Sequence, residues 1–319
     1  MSVLTEDTII VGYYDDAAEA SRREAWQARL QPYLPQVKLV SLHSEEAQDA
    51  IAVTVWKPPH GVLASLPHLK GIISLGQGVD HVLADPSLPQ TVPLVRLVDS
   101  DMSVALGHWV SLAVLSHIRK AADYRALRAR REFRPLPQRE AQSVKIGLYG
   151  VGAIGAEVAR QLQALHFDVT GYVSAPRSDK AMRYCHGPDG FDYMLREMDI
   201  HICVMPLTDE TRGCFNQSSF AKKKVGAYLI NAGRGAHVVE DDLQQAISTG
   251  HLAGACLDVF VDEPLPPSHP FWENPHIEIW PHVAAQTNPN TAAQQVAKAI
   301  HAFATGQPAQ NIVDRQKGY

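Results

Sequence analysis

The glycine-rich stretch KIGLYGVGAIG, at residues 145–155, constrains the fold more than any other part of the sequence. It places Gly150, Gly152 and Gly155 directly after an apolar, strand-like run and before the helix-like AEVARQLQAL. In this context glycines let the backbone turn tightly and approach a pyrophosphate at a helix N-terminus. We therefore predict a dinucleotide site, with a plain structural turn as the alternative. Its predicted contacts are Gly150, Gly152, Ala153, Ile154 and Gly155.

The end of the next strand bears on the choice of coenzyme. An NAD-preferring fold usually has an acidic residue about 20 residues after the glycines, where it bonds the ribose 2'-hydroxyl. Here residues 169–173 are followed by SAPRS, which contains no acid. Ser174 and Arg177 offer a hydroxyl and a guanidinium instead, which suit a 2'-phosphate. NADPH is the predicted preferred coenzyme and NADH the secondary one; the alternative for Arg177 is a solvated loop residue.

Strand-like and helix-like segments alternate along the chain. The first series predicts strands in TIIVGYY, VKLV, IAVTVW, LKGIISL and PLVRL, and the second in VKIGLYG, DVTGYV, IHICVM, AYLINA, GACLDVF and IEIW. Between them, residues 103–133 contain no proline and no glycine after Gly107, which predicts one extended helix. The pattern predicts two α/β domains, the second inserted into the first.

Length and composition limit the class of protein. The chain has 319 residues, of which 45% are hydrophobic and 20% charged, which fits two globular domains of ordinary size. No run approaches the roughly 20 apolar residues that span a bilayer. The N-terminal MSVLTEDTII lacks the basic start, apolar core and cleavage site of a secretion signal. We therefore expect a cytoplasmic protein with no membrane partner.

Neither metal nor nucleic acid is an expected partner. The cysteines, at 185, 203, 214 and 256, have no paired spacing, so we predict that they are reduced and mostly buried. His201 with Cys203, and Cys185 with His186, lack the register of metal ligands. Net charge is -5. The compact basic run Lys222–Lys224 has no interleaved aromatic residues, so we interpret it as part of a solvated loop.

The stretch IEIWPHVAAQT, at residues 277–287, places His282 after an apolar run and a proline. A single histidine beside apolar residues is more often a packing or surface group than a functional one. Only partners from elsewhere in the chain could make His282 functional.

Five motifs, in order along the chain, carry a family resemblance. They are the glycine motif, MPLTDETRG at 205–213, LINAGRGAHVVEDDL at 229–243, GACLDVFVDEPLP at 254–266 and WPHVAAQT at 280–287. With them the chain resembles the D-isomer-specific 2-hydroxyacid dehydrogenases over essentially its whole length. VTVWKPP at 53–59, SLGQGVD at 74–80 and the ending VDRQKGY are most like the glyoxylate/hydroxypyruvate reductase A branch.

The resemblance implies a fold and a reaction. The fold is two Rossmann-like, doubly wound parallel-sheet domains: a substrate domain, residues 1–102 and 286–319, and an inserted NAD(P)-binding domain, residues 103–285. The reaction is the NADPH-dependent reduction of glyoxylate and hydroxypyruvate to glycolate and D-glycerate. A dehydrogenase of a bulkier D-2-hydroxy acid and a non-catalytic, corepressor-like dinucleotide sensor stay open as alternatives. A homodimer built across the nucleotide-binding domains is expected, partly because of the long helix.

The resemblance also supplies partners for His282. Arg234, Glu263 and His282 match the family's arginine, glutamate and histidine. Reducing a 2-oxo acid requires a hydride, a proton for the developing alkoxide and a cation that holds substrate oxygens. The resemblance implies that His282 donates the proton, that Glu263 stabilises the imidazolium, and that Arg234 binds the carboxylate and carbonyl oxygens.

Further site residues are implied in the same way. Those on the substrate side are Trp56, Lys57, Gly76, Gln77, Gly78 and Val79. Those on the cofactor side are Pro206 and Thr211 near the nucleotide, Ala232 and His282 beside the nicotinamide, and Asp258 at its carboxamide. The structural alternatives are strand capping for Trp56 and Lys57, a simple tight turn for SLGQGVD, and turn capping for Asp258. Gly233 departs from the alanine common before the family's arginine and is expected to give the backbone more freedom.

Overall fold

A computed structural model describes residues 8–15 and 19–318 of the chain. Residues 1–7, which include most of the stretch examined for a secretion signal, and Tyr319 of the ending VDRQKGY lie outside the described residues. The chain divides into two compact units, one formed by the chain up to Asp101 and again from Thr287, the other by residues 102–286. Their assignment as substrate and nucleotide-binding domains stays a prediction.

The strands and helices alternate along the described chain. The strands are β1 (Ile9–Asp15), β2 (Val37–Ser41), β3 (Ala52–Trp56), β4 (Gly71–Ser74), β5 (Leu94–Val95), β6 (Lys145–Tyr149), β7 (Asp168–Val173), β8 (Arg183–His186), β9 (Ile200–Cys203), β10 (Ala227–Asn231), β11 (Leu252–Leu257) and β12 (Ile277–Ile279). The helices are α1 (Glu19–Leu30), α2 (Asp80–Leu83), α3 (Ser100–Ile118), α4 (Ala121–Ala129), α5 (Ala153–Ala164), α6 (Gly187–Glu197), α7 (Gln217–Lys222), α8 (Glu240–Ser248) and α9 (Pro289–Thr305).

Each unit contains a parallel sheet. Within the described residues, the first unit has the strand order β2-β1-β3-β4-β5, and the second has β12-β11-β10-β9-β6-β7-β8. The first is the flavodoxin-like order, and the second is the Rossmann order extended by one strand. Such sheets are covered on both faces, so their strands consist of nearly continuous apolar residues. β10 illustrates this, because all of its residues are buried.

Two apolar clusters cover the two faces of the larger sheet. Leu148 packs with Val110 of α3 and Val158 of α5. The next residue, Tyr149, points to the opposite face and packs with Leu243 of α8. Full burial of each such aliphatic side chain stabilises the fold by about 1.5–3 kcal/mol. The predicted doubly wound, parallel α/β fold is confirmed.

The single helix predicted over residues 103–133 is wrong. α3 ends at Ile118, Lys120 adopts a left-handed conformation with φ 57°, and α4 begins at Ala121. The apolar face that packs α3 against the sheet ends at Ile118, and in α4 only Leu127 is buried. The helix therefore breaks where its buried face ends, although neither glycine nor proline marks the place.

The sequence analysis does not predict β8. Its residues, RYCH, are exposed or half-buried, and the strand lies at the sheet edge, paired with β7. An edge strand of this kind has no apolar run that would reveal it.

The interpretation of Lys222–Lys224 as a solvated loop is wrong for Lys223. Lys223 is 4% exposed, and its Nζ lies 4.7 Å from the centroid of the Phe215 ring. Burial lowers the pKa of Lys223 well below its ordinary value. The neighbouring Lys224 reaches the surface, and its Nζ lies 3.3 Å from Asp199 Oδ1.

Candidate active site

The glycine motif forms a tight turn between β6 and α5. Gly150 has φ 97°, a conformation that favours glycine. A Cβ on Gly150 would lie 2.9 Å from the Met205 backbone, and one on Gly155 would lie 2.0 Å from the Gly150 carbonyl oxygen. A Cβ on Gly152 would meet nothing within 4 Å. Two of the glycines therefore allow close packing, and the third leaves open space at the N-terminus of α5, as a bound pyrophosphate requires.

Sheet topology places this turn at a switch point. β6 lies between β7 and β9, and the strand order reverses there. Ligands of open α/β sheets bind outside the carboxyl ends of the strands at such a point. Ala153 and Ile154 begin α5, so their N–H groups belong to the helix N-terminus, where a phosphate is stabilised. The residues present therefore fit a dinucleotide.

The residues expected to select the coenzyme lie beside the turn. Ser174 follows β7 and is exposed. The guanidinium of Arg177 donates a hydrogen bond to the carbonyl oxygen of Val151 and lies 5.6 Å from the centroid of the Tyr184 ring. Arg177 is exposed, as the solvated-loop alternative expects, but it contacts the glycine turn through Val151 and β8 through Tyr184.

The loop after β9 is closed by a threonine. Thr211 Oγ1 donates to the Pro206 carbonyl oxygen at 2.9 Å and accepts from the Thr208 N–H at 2.8 Å. Ala232, directly after β10, donates its N–H to the Cys203 carbonyl oxygen at 3.0 Å. Pro206 and Ala232 therefore follow neighbouring strands, while the Thr211 hydroxyl has a local role in shaping the loop.

Arg234 lies in a turn that Asn231 closes. Asn231 Oδ1 accepts from the Gly233 N–H at 3.1 Å, and Asn231 Nδ2 donates to the Arg234 carbonyl oxygen at 2.9 Å. Arg234 Nη1 donates to the Gly233 carbonyl oxygen at 2.8 Å. The turn therefore fixes both the backbone and the guanidinium of Arg234.

A close backbone approach joins this turn to the loop after β11. A Cβ on Gly235 would lie 1.9 Å from the Phe260 carbonyl carbon, so no larger residue fits there. The Phe260 N–H donates to Glu263 Oε1 at 3.1 Å. The Arg234 turn and the loop that carries Glu263 are thus packed against each other.

His282 and Glu263 form a hydrogen-bonded pair. His282 Nδ1 lies 2.9 Å from Glu263 Oε2, and their side chains are 33% and 20% exposed. An ionised carboxylate only accepts, so Nδ1 carries a proton and Nε2 is the nitrogen that can exchange one with a substrate. Partial burial strengthens the pair relative to a surface ion pair. This arrangement suits a general acid and base.

Asp258 holds the backbone around His282. Asp258 Oδ1 accepts from the Val283 N–H at 2.8 Å, and Oδ2 accepts from the Ala284 N–H at 2.9 Å. The His282 N–H donates to the Asp258 carbonyl oxygen at 2.9 Å. These bonds maintain His282 at φ 54°, a left-handed conformation that costs a non-glycine residue about 1–3 kcal/mol.

The structure therefore gives Asp258 the turn-capping role that the sequence analysis left as an alternative. Asp258 is 2% exposed, and this burial raises the pKa of its carboxyl group, although the two N–H donors oppose the change. Its predicted contact with a nicotinamide carboxamide stays a prediction.

In the first unit, two predicted substrate residues lie at the carboxyl end of β3. Trp56 ends this strand, and Lys57 adopts φ 49°. The Trp56 ring lies over the next strand end, because a Cβ on Gly76 would be 2.5 Å from it. Glycine is therefore needed at Gly76 for the tryptophan to pack.

The loop after β4 presents backbone donors. Within the described residues, the N–H groups of Gln77, Gly78 and Val79 donate no hydrogen bond. The Val79 side chain is 2% exposed, so only its backbone can contact a ligand. Backbone N–H groups require an acceptor, and a carboxylate is suitable.

The described residues offer neither a metal-binding cluster nor a membrane-spanning helix. Among residues 8–15 and 19–318, no group of three or more His, Cys, Asp or Glu side chains could hold a metal ion. None of the described helices combines the length and apolar character needed to cross a membrane.

The chain is similar to known proteins over most of its length. The family model described as D-isomer specific 2-hydroxyacid dehydrogenase, NAD binding domain, matches residues 111–284. The glyoxylate/hydroxypyruvate reductase A of Serratia proteamaculans is 40% identical over 301 residues, which cover 93% of this chain and 96% of that protein. The protein of the same name from Yersinia enterocolitica is 36% identical over 92% of this chain and 96% of its own length.

Solved structures agree. A D-isomer specific 2-hydroxyacid dehydrogenase from Xanthobacter autotrophicus, in complex with NADPH and MES, is 33% identical with a TM-score of 0.90, covering 98% of this chain and 100% of that one. An NADPH-dependent glyoxylate/hydroxypyruvate reductase from Sinorhizobium meliloti, with NADP and sulfate, is 34% identical with a TM-score of 0.88 over the same shares of the two chains. The chain belongs to the D-isomer specific 2-hydroxyacid dehydrogenase family, whose NAD-binding domain it carries.

Proposed function

We propose that the protein reduces glyoxylate and hydroxypyruvate to glycolate and D-glycerate with NADPH, and that His282 donates the proton. The 2.9 Å pair between His282 Nδ1 and Glu263 Oε2 is the observation that carries the proposal. The glyoxylate/hydroxypyruvate reductase A relatives at 40% and 36% identity support the choice of substrates.

The proposed chemistry divides between coenzyme and protein. NADPH, when bound, supplies the hydride to the substrate carbonyl carbon. His282 gives the Nε2 proton to the carbonyl oxygen as negative charge develops there. Glu263 remains hydrogen-bonded to Nδ1 and stabilises the imidazolium before that transfer. In the oxidation of a 2-hydroxy acid, neutral His282 takes the proton from the hydroxyl group.

Substrate binding is assigned to donors whose geometry suits a carboxylate. Arg234 provides a planar, permanently charged fork that binds two oxygens and polarises the carbonyl group. The N–H groups of Gln77, Gly78 and Val79 are proposed to bind the substrate carboxylate. Trp56 and Lys57 are proposed to border the substrate.

A panel of 2-oxo acids tests the proposed function. We expect NADPH absorbance to decay fastest with glyoxylate and hydroxypyruvate, and more slowly with bulkier acids such as 2-oxoisocaproate. Preference for a bulky acid would assign the protein to another D-2-hydroxy acid. Binding of NADPH without turnover on any acid would contradict an enzymatic function and favour a dinucleotide sensor.

Coenzyme preference is proposed from Ser174 and Arg177. The absence of an acid at position 174, and the contact of Arg177 with the glycine turn, support binding of a 2'-phosphate. We expect kcat/KM to be higher with NADPH than with NADH. Ser174→Asp should shift the preference toward NADH, because a carboxylate repels the phosphate and accepts from a free 2'-hydroxyl. Ser174→Asn is the matched control without charge; equal use of both coenzymes by the native protein would contradict the proposal.

A homodimer across the 102–286 units is also proposed. The helix that motivated it is two helices, but exposed apolar side chains on and after them support an interface: Leu112 is 49% exposed and Phe133 is 104% exposed. Light scattering at micromolar concentration should give twice the mass of the 35.0 kDa chain. A monomeric mass would rule the dimer out. The cytoplasmic location stays a prediction.

A further inference from the structure

Buried His237 joins two segments of the candidate site. It is 0% exposed. Its Nε2 lies 3.2 Å from the Pro206 carbonyl oxygen, and its Nδ1 lies 3.0 Å from the Arg234 backbone nitrogen. We propose that His237 is a positioning residue for Arg234, and that position 233 is glycine because the His237 ring fills the space of a side chain there. The inference rests on the proposed function, in which Arg234 binds the 2-oxo acid.

The contacts of His237 bear on its tautomer, and Nδ1 lies 3.0 Å from both the backbone nitrogen and the carbonyl oxygen of Arg234. A carbonyl oxygen only accepts, so Nε2 carries the proton that it donates to Pro206. The proposal assigns Nδ1 of a neutral ring as the acceptor of the Arg234 N–H, because the Arg234 carbonyl oxygen has another donor. The Arg234 carbonyl oxygen accepts from Asn231 Nδ2 at 2.9 Å. Both backbone polar groups of Arg234 are therefore held by side chains.

Space, and not backbone conformation, accounts for Gly233. Its φ is not positive, so an L-residue can adopt its conformation. A Cβ there would lie 3.1 Å from Cε1 and Nδ1 of His237 and 3.1 Å from the Met205 carbonyl oxygen. Since the Met205 backbone confines the other side, an alanine methyl group requires the imidazole to shift by a few tenths of an ångström. This steric reason is proposed beside the expectation that Gly233 gives the backbone at Arg234 more freedom, which stays a prediction.

The Arg234 guanidinium depends on the same turn. Arg234 Nη1 donates to the Gly233 carbonyl oxygen at 2.8 Å, so a shift of the turn moves the guanidinium. A misplacement of about 1 Å can cost on the order of 100-fold in rate. His237 thus acts through Arg234 and not on the reacting atoms.

Two amide substitutions separate the roles of the ring nitrogens. In His237→Asn, the side-chain oxygen replaces Nδ1 and can accept from the Arg234 N–H. In His237→Gln, the side-chain nitrogen replaces Nε2 and can donate to Pro206. We expect kcat/KM for glyoxylate to fall less than about 3-fold in the Asn variant and at least about 10-fold in the Gln variant, mainly through KM for glyoxylate. Equal impairment of the two variants, or a native kcat/KM in the Gln variant, overturns the proposal.

Gly233→Ala tests the steric pairing. In the native background it should lower kcat/KM for glyoxylate by roughly 10-fold, because the methyl group displaces the ring. In the His237→Ala background it should lower kcat/KM less than about 3-fold, since both ring atoms near the methyl group are gone. Equal losses in the two backgrounds contradict the pairing.

Nitrogen-15 NMR of histidine-labelled protein reads the tautomer independently of activity, with His237→Asn identifying the resonances. We expect a neutral His237 ring protonated at Nε2. A proton on Nδ1 overturns the proposed hydrogen bonds. If no 2-oxo acid is reduced, the proposed function fails, while the tautomer still decides how His237 contacts Arg234.

Discussion

His282 and His201 both belong to apolar segments of the 102–286 unit, yet their surroundings differ in almost every respect. His282 follows β12, is 33% exposed and has a carboxylate partner. His201 lies within β9, is 0% exposed, and its Nδ1 lies 3.0 Å from the Tyr149 hydroxyl oxygen. Burial lowers the pKa of His201 well below its usual range, and the nearby Lys223 and Lys224 lower it further. Within the described residues, His201 Nε2 has no hydrogen-bond partner.

The difference indicates which surroundings suit a histidine for proton transfer. Burial without a charged partner keeps an imidazole neutral, and a carboxylate at the edge of the sheet lets it carry charge. Composition around the residue does not distinguish IHICVM from IEIWPH. The position along a strand does, because strand interiors are covered on both faces while the carboxyl ends open onto the ligand site.

The largest expected effect separates the two histidines directly. His282→Asn removes the proposed proton donor but keeps a polar side chain, so kcat for glyoxylate should fall by about 100-fold or more with NADPH binding retained. His201→Asn, the matched control, should lower stability by about 1–3 kcal/mol and leave kcat of the folded protein near native. Steady-state kinetics and denaturant unfolding measure both. A near-native rate in the His282 variant, or a loss of kcat in the His201 variant, would break the comparison.

A smaller effect on kcat is expected from changing Asp258, whose carboxylate holds the backbone around His282. Asp258→Asn keeps one acceptor for the Val283 and Ala284 N–H groups and loses the other, so the left-handed conformation of His282 becomes less constrained. We expect kcat to fall roughly 10-fold while the KM for NADPH changes little. Asp262→Asn, a neighbouring loop carboxylate outside this network, is the control. A large rise in the KM for NADPH alone would instead favour the carboxamide contact.

The smallest expected effect is on stability and concerns Lys223, a buried lysine near His201. Within the described part of the chain, Lys223 Nζ has no hydrogen-bond partner, and burial lowers its pKa well below 10.5. The unfolded chain binds the proton more tightly, so the native protein gains stability as pH rises toward 10.5. Lys223→Met should raise the free energy of unfolding by about 1 kcal/mol at neutral pH, with kcat unchanged. The gain should shrink as pH rises. A pH-independent gain would show that folding does not lower the pKa of Lys223, and a loss would show that Lys223 is stabilising.

Much of the fold was predictable because parallel strands covered on both faces leave long apolar runs. β10 and β6 are examples, and the glycine motif between β6 and α5 has its own spacing rule. β8 was not predictable, since an edge strand with the sequence RYCH has no such run. The break at Lys120 was also not predictable, because it reflects where the packing surface ends and no local residue signals it.

The candidate site was predictable only in part. Family motifs pointed to Arg234, Glu263 and His282. No spacing rule indicates that Asp258 accepts hydrogen bonds from the backbone next to His282. His237 was missed because its partners, Arg234 and Pro206, come from separate segments. The departure at Gly233 was the available signal. Buried Lys223 was misread, since three consecutive lysines look solvated whichever way each one points.

The pH dependence of reduction in the native protein and in Glu263→Gln tests the central claim most directly, namely that the pair of His282 and Glu263 transfers the proton. Deuterated NADPH should first establish, by a primary isotope effect, that hydride transfer limits the rate. We predict that native reduction weakens with rising pH while oxidation of the 2-hydroxy acid strengthens. In Glu263→Gln the reaction should persist with its reduction profile moved to lower pH, because the imidazolium loses its charged partner. An unmoved profile under rate-limiting hydride transfer would contradict the account.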